Sequence, residues 1–177
     1  PYRETKKGHA FTKKEERDLV EYCKENDEKD TSSALLVLLY AGLRRSELSS
    51  IEVIDNRWLQ CKTSKERMGK NEVKRRIPFT PMMKNVLSHI DFDKARNVNT
   101  NTLYNVLKKK FPNHHLHELR YTFITRVKEC GVNMEVSMIW AGHEQDADVK
   151  TSKVDRGYTD YSEEYLLSEA EKVKYNL

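Results

Sequence analysis

Residues 114–125 read HHLHELRYTFIT and hold three of the six histidines of the chain. In a helix, His117 and Arg120 lie three residues apart on one face, while the leucine and phenylalanine side chains between and beyond them can pack toward a core. The helical spacing continues as far as Gly131, and a glycine commonly ends a helix. The stretch therefore predicts an amphipathic helix whose histidine and arginine can reach the same ligand.

Three interpretations of these polar residues are open: a metal site, a solvated helix face and a phosphate-binding centre. His114 and His115 point in different directions in a regular helix, and no carboxylate or cysteine stands at a useful ligand spacing. A metal site is therefore disfavoured. The other two interpretations depend on what the rest of the chain brings to this helix.

Composition fits one folded domain with a highly charged surface. The chain has 177 residues, of which 34% are charged, with 32 basic and 28 acidic side chains. A domain of this length can bury a core without disulfides or metal ions. The net charge of +4 argues only weakly for a polyanionic partner, so the local distribution of charge matters more.

Cys23, Cys61 and Cys130 are odd in number and widely spaced, which is typical of free thiols in a reducing compartment. No apolar run approaches the roughly 20 residues of a membrane span. We therefore expect an intracellular protein with no membrane partner. The polar, basic start resembles a linker, so residues 1–11 are interpreted as a linker-like segment and residues 12–177 as the domain.

Helical patterns dominate the rest of the chain. Thr12 and Glu15 form a capping-box pattern before an amphipathic series, and TSSALLVLLYAG predicts a buried helix that ends at Gly42. A new helix is expected near Ser46, and SEEYLLSEAEKVKY predicts a last helix near the C-terminus. The expected fold class is mainly α.

One β-hairpin is the only convincing sheet signal. RWLQCKT and VKRRIPFT alternate apolar and polar residues, and the charged segment SKERMGKNE joins them. The hairpin carries a local excess of positive charge, which suits contact with a nucleic-acid backbone or, alternatively, protection of an exposed sheet edge. The cations are Lys62, Lys65, Arg67, Lys70, Lys74, Arg75 and Arg76.

Arg44 lies at a junction between two helices in AGLRRSEL. An arginine in this place can pack its stem and turn its planar fork toward a cleft, which suits bidentate phosphate contact. A salt bridge to Glu47 is the structural alternative.

The ordered set GLRRSEL, a lysine-bearing hairpin, HELRYTF, WAGHE and a tyrosine before the last helix resembles the catalytic domain of the tyrosine recombinases, the phage-type integrases. The resemblance covers residues from about 12 to the end. It implies the fold of that domain, mainly α with a small antiparallel sheet, and a source in a virus, plasmid or other mobile element, with an archaeal virus or mobile-element integrase preferred.

The resemblance assigns a catalytic role to six residues. The arginines of its pattern match Arg44 and Arg120, its two histidines match His117 and His143, its hairpin lysine matches Lys62, and its nucleophile matches Tyr158. Lys65 is the alternative for the lysine. The segment from His143 to Tyr158 is longer than the usual family spacing, and Asp160 replaces a common histidine, so Tyr161 and Tyr165 stay open as nucleophiles.

The resemblance also implies the chemistry and the partners. A tyrosine oxygen would attack a DNA phosphodiester and form a 3′-phosphotyrosyl bond, with no metal ion, ATP or other cofactor. The partners would be double-stranded DNA attachment sites and three further subunits in a tetramer on DNA. The alternatives are relaxation of supercoils by a type IB topoisomerase-like activity and an inactive DNA-binding module of the same fold.

Overall fold

A computed structural model describes residues 8–62, 74–143 and 160–177, and helices account for most of these residues. The α-helices are α1 (Lys13–Glu25), α2 (Asp30–Ala41), α3 (Pro81–Val86), α4 (Phe92–Arg96), α5 (Thr100–Lys110), α6 (His117–Glu129), α7 (Met134–Ala141) and α8 (Glu163–Ala170). Strands β1 (Glu52–Ile54), β2 (Trp58–Lys62) and β3 (Lys74–Pro78) form a small sheet. The predicted fold class, mainly α with a small antiparallel sheet, is confirmed.

Helix α2 lies at the centre of the core. It is apolar on all sides, so it can be stable only inside the protein, and every residue after Asp30 is buried. Helices α1, α3, α4, α5 and α6 pack against it. The helix ends at Gly42 as predicted, and this glycine has a left-handed φ of +62°. A Cβ atom at Gly42 would lie 2.2 Å from the ring of Phe123, so the close packing of α6 also requires a glycine.

The sheet is antiparallel in the order β1-β2-β3. Both predicted hairpin strands are present, and their register pairs Leu59 with Ile77 and Lys62 with Lys74. Leu59 and Ile77 are buried, so one face of the hairpin packs on the core. The sequence did not predict β1, which is only three residues long.

Two predicted helices differ in the structure. The helix expected near Ser46 is a 3₁₀ helix, Arg45–Ser50, because the chain turns into β1 directly afterwards. The last helix, α8, ends at Ala170, and the chain then turns and packs against the core through buried Val173.

Arg126 and Glu16 form a buried ion pair between α6 and α1. Arg126 Nε lies 2.9 Å from a carboxylate oxygen of Glu16, and Arg126 Nη2 donates to the Phe11 carbonyl at 2.9 Å. The Tyr175 hydroxyl donates to the same carboxylate. Phe11 is itself buried. Packing therefore begins before Thr12, within the segment interpreted as linker-like, of which residues 1–7 lie outside the described part.

The three cysteines are unpaired. Within the three described ranges, no helix has the length and apolar character that crossing a membrane requires.

Candidate active site

Arg120 is held in the interior by the ends of two helices. Its side chain is almost completely buried, and Nη1 donates to the Gly42 carbonyl at 2.7 Å. Nη2 donates to the Ala141 carbonyl. These carbonyls lie at the C-terminal ends of α2 and α7, where the helix dipole places partial negative charge. Two helix ends therefore fix the guanidinium, and three of its five N–H donors are not used by these two contacts.

Arg44 immediately precedes the 3₁₀ helix and contacts Glu47 in two ways. Its backbone N–H donates to Glu47 Oε2 at 2.7 Å, and its Nη1 lies 3.3 Å from Oε1. Glu47 is completely buried, whereas the side chain of Arg44 keeps 20% of its surface exposed. The ion pair given as the structural alternative is therefore present, and the Arg44 side chain still reaches solvent.

Arg75 does not lie on the hairpin surface where a DNA-contacting cation was expected. Its side chain is only 5% exposed. It donates to both oxygens of Glu47, at 2.5 and 2.8 Å, and its Nε donates to the Trp140 carbonyl at 3.1 Å. The neighbouring Lys74 and Arg76 are exposed, and Arg76 contacts Gln60. The alternation of side chains along β3 explains the difference, because Arg75 points toward the core like Ile77.

Three guanidiniums and one carboxylate thus share a small volume. Burial, followed by the charges of Arg44 and Arg75, lowers the pKa of Arg120 to about 10. Burial alone would raise the pKa of Glu47, but Arg75 and then Arg44 outweigh burial and hold it below its usual range. Arg120 and Glu47 are therefore both charged at neutral pH. Three guanidiniums beside one carboxylate give the cluster an excess of positive charge that suits a phosphate group.

His117 is exposed at the first turn of α6, one turn from Arg120, and its ring packs edge-on against Tyr121 with centroids 5.5 Å apart. Loss of solvation around the ring, followed by the charges of Arg120 and Arg44, lowers its pKa. The imidazole is therefore neutral at neutral pH and can accept a proton.

The other histidines of the stretch have different environments. His114 is buried, stacks on Phe11 at 3.8 Å between ring centroids, and lies 2.7 Å from Glu118 and 3.1 Å from Glu15. His115 is exposed. Within residues 8–62, 74–143 and 160–177, no group of three or more His, Cys, Asp or Glu side chains could hold a metal ion.

Lys62 is exposed at the end of β2. Its backbone N–H donates to Ser50 Oγ at 3.0 Å, and Ser50 Oγ donates to the Glu47 carbonyl at 2.9 Å. The base of the lysine is therefore tied to the 3₁₀ helix that carries Glu47. Lys65, Arg67 and Lys70 lie outside the described residues.

His143 follows the glycine that ends α7. Gly142 has a φ of +70°, and a Cβ atom there would lie 3.0 Å from Arg75 Nη1. Arg75 and Arg120 bind the two carbonyls just before this glycine. The half-buried His143 is therefore attached to the segment that both buried arginines anchor.

Tyr158 lies outside the described residues, but its two alternatives are visible. The Tyr161 hydroxyl donates to Glu135, and this contact raises the pKa of Tyr161 to about 12. The Tyr165 hydroxyl accepts from Asn133 at 3.3 Å. Glu135 and Asn133 belong to the start of α7, whereas the arginines bind its end. Neither alternative hydroxyl is therefore placed with the guanidiniums.

Two components of the cluster were not predicted as site residues. The sequence predicts Glu47 only as an alternative partner of Arg44, and it does not predict the carbonyls of Gly42 and Ala141 as acceptors. The signal for Glu47 is its spacing three residues after Arg44, at the start of a helical turn. Backbone acceptors have no side-chain signal, although the glycines in AGLR and WAGH mark both helix ends.

Comparison with solved structures identifies the fold. No family model and no curated protein matches the sequence. The structure matches that of the Tn1549 transposon integrase (residues 82–397) in complex with transposon right end DNA, with a TM-score of 0.58, 17% identity, and coverage of 96% of this chain and 67% of the integrase chain. A complex of that integrase with circular intermediate DNA matches with a TM-score of 0.56, 19% identity, and coverage of 95% and 66%.

The protein therefore has the fold of a tyrosine recombinase catalytic domain. The chain spans about two-thirds of the length of the solved integrase.

Proposed function

We propose that the chain is the catalytic domain of a site-specific DNA recombinase of the integrase type. The observation that carries this proposal is the cluster of Arg44 and Arg120 beside a neutral His117, on a fold shared with an integrase solved in complex with DNA. Sequence-independent DNA binding needs only accessible positive charge. It does not need a buried guanidinium fixed by two helix ends, so the geometry favours catalysis over an inactive binding module.

The residue types account for a transesterification. The Tyr158 oxygen attacks the phosphorus, the bond from phosphorus to the 5′ oxygen breaks, and a 3′-phosphotyrosyl bond remains. His117 accepts the phenolic proton, and Lys62 donates a proton to the leaving 5′ oxygen. The guanidiniums of Arg44 and Arg120 stabilise the charge that develops on the non-bridging oxygens. His143 donates a hydrogen bond to the phosphate.

One phosphoester replaces another in this scheme, so ATP is not needed to drive it. The arginines supply the positive charge that a metal ion supplies in other phosphoryl-transfer enzymes. Activity should therefore persist in EDTA.

Double-stranded DNA attachment sites are the proposed partners, bound by a tetramer of this subunit. Lys74 and Arg76 are exposed beside the site and would contact the DNA backbone, as would Lys65, Arg67 and Lys70. An intracellular location fits this role. The preference for an archaeal virus or mobile element as the source stays a prediction, and the matched structures are of a transposon integrase.

Covalent trapping tests the proposal. The protein first selects its preferred duplex from a randomised DNA library, and nicked versions of that duplex are then incubated with it in EDTA and stopped with detergent. We expect a protein–DNA adduct whose modified peptide contains Tyr158. Tyr158→Phe should abolish the adduct, whereas the matched variant Tyr161→Phe should retain it.

The result separates the alternatives. Exchange of strands between two labelled duplexes supports a recombinase, whereas relaxation of supercoils without exchange supports a topoisomerase-like enzyme. An adduct that persists in Tyr158→Phe assigns the nucleophile to another tyrosine. The absence of any adduct on the selected duplex would reject catalysis in favour of the binding module.

A further inference from the structure

Arg75 is too deeply buried to contact DNA, although it belongs to the basic hairpin. Its guanidinium donates to both oxygens of Glu47 and its Nε donates to the Trp140 carbonyl, with only 5% of the side chain exposed. These contacts connect β3 to the 3₁₀ helix and to the end of α7. The role of Arg75 is therefore internal to the cluster.

Glu47 is shared between Arg75 and Arg44. Its Oε1 lies 2.5 Å from Arg75 Nη1 and 3.3 Å from Arg44 Nη1, so the contact with Arg75 is the closer of the two. A completely buried carboxylate needs a full complement of donors, because leaving it unpaired is costly. If Arg75 were absent, Arg44 would be the remaining cation in contact with Glu47 among the described residues, and the carboxylate would draw the Arg44 guanidinium inward.

We propose that Arg75 is a positioning residue for phosphate binding: it satisfies Glu47, so that Arg44 stays directed toward the phosphate. This assignment rests on the proposed function for its catalytic consequence, whereas the orientation of Arg44 can be measured without DNA. Through Trp140 and Gly142, the same side chain supports the segment that leads to His143.

The chain provides a matched control in Arg126. This arginine is also buried, also pairs with a completely buried carboxylate, Glu16, and also donates to a backbone carbonyl, that of Phe11. It lies toward the other end of α6 from His117. Arg126→Lys therefore removes a comparable set of structural contacts while leaving the phosphate-binding cluster untouched.

The first measurement uses inorganic phosphate as the probe. Side-chain Nε–Hε signals of the arginines are followed by NMR during a phosphate titration, with Arg44 assigned from its loss in Arg44→Lys. We expect Arg44 and Arg120 to respond in the wild-type protein, and Arg75→Lys and Arg75→Met to weaken the Arg44 response by about tenfold in apparent affinity. Arg126→Lys should respond like wild type.

A second variant tests the mechanism. If Glu47 captures Arg44 when Arg75 is lost, neutralising the carboxylate should release it. The double variant Arg75→Met/Glu47→Gln should therefore bind phosphate more tightly than Arg75→Met alone. A merely structural role for Arg75 predicts the opposite, because a second buried substitution adds damage to the first.

The rate of adduct formation provides the catalytic measurement. At saturating DNA, Arg75→Lys should form the phosphotyrosyl adduct up to about 100-fold more slowly, because Arg44 is misplaced, with little change in the DNA concentration for half-saturation. The proposal would be overturned if Arg75→Lys formed the adduct as fast as Arg126→Lys and the response of Arg44 to phosphate were unchanged. If the wild-type protein forms no adduct, the proposed function fails, and the phosphate titration still decides the role of Arg75.

Discussion

Arg120 Nη1 lies 2.7 Å from the carbonyl oxygen of Gly42, the residue that ends the central helix. The catalytic guanidinium proposed for this protein is thus positioned by backbone that belongs to the core. Any change that moves the end of α2 should therefore affect both stability and chemistry.

Gly42→Ala tests this connection through stability. The substitution places a Cβ atom 2.2 Å from Phe123 at a φ of +62°, so we expect a loss of about 3 kcal/mol in the free energy of unfolding, measured in urea. Gly131→Ala is the control, because its φ is +75° but nothing lies within 4 Å of the added carbon. Gly131→Ala should cost only about 1 kcal/mol, the contribution of the backbone alone. Equal losses in the two variants would show that the Phe123 ring moves aside to accommodate the added carbon.

Arg120→Lys should separate catalysis from affinity. A lysine keeps the charge but cannot donate to two helix ends and the phosphate at once. We expect the rate of adduct formation at saturating DNA to fall by about 100- to 1,000-fold, with a small change in DNA binding. A loss of affinity with an unchanged rate at saturating DNA would assign Arg120 to binding alone.

The pH dependence of adduct formation should report His117. The pKa of His117 is lowered in the folded protein. The imidazole therefore remains a proton acceptor at pH values somewhat below the ordinary histidine pKa of about 6.5. The pH profile of kcat/KM reports the pKa values of the free enzyme. Its acid limb should therefore have a midpoint below about pH 6.5, and kcat/KM should fall as the pH falls through that midpoint. His117→Gln should slow the reaction and remove this limb. An unchanged limb in the variant would identify another base.

Lys62 should be needed only when the leaving oxygen is basic. We expect Lys62→Ala to be about 100- to 10,000-fold slower on a normal phosphodiester, the usual contribution of general acid catalysis. A duplex with sulfur in place of the 5′ bridging oxygen has a less basic leaving group, so it should restore the rate of Lys62→Ala but not that of Arg120→Lys. If the rate of Lys62→Ala were not restored, the general acid would be another residue, and Lys65 would be tested next.

The sequence predicted the helices and strands better than it predicted the contacts between their side chains. Helix α2 follows from a long apolar run, and the strands of the hairpin follow from partial alternation of apolar and polar residues; both are local properties. The inward direction of Arg75 is also a consequence of alternation, but the density of positive charge around it suggested a surface. The acceptors of Arg120 could not be predicted, because they are backbone atoms brought together by packing of α2, α6 and α7.

The segment after α8 determines how the protein would respond to mechanical force. Phe11, near the first described residue, and Tyr175, near the last, both bond to the ion pair of Arg126 with Glu16. These contacts join residue 11 to residue 175 through a non-covalent cross-link, which lies on the helix that begins with His117. Tension applied between the two ends, in an optical trap or by a fused domain, would load this cross-link directly and would reach the site through α6.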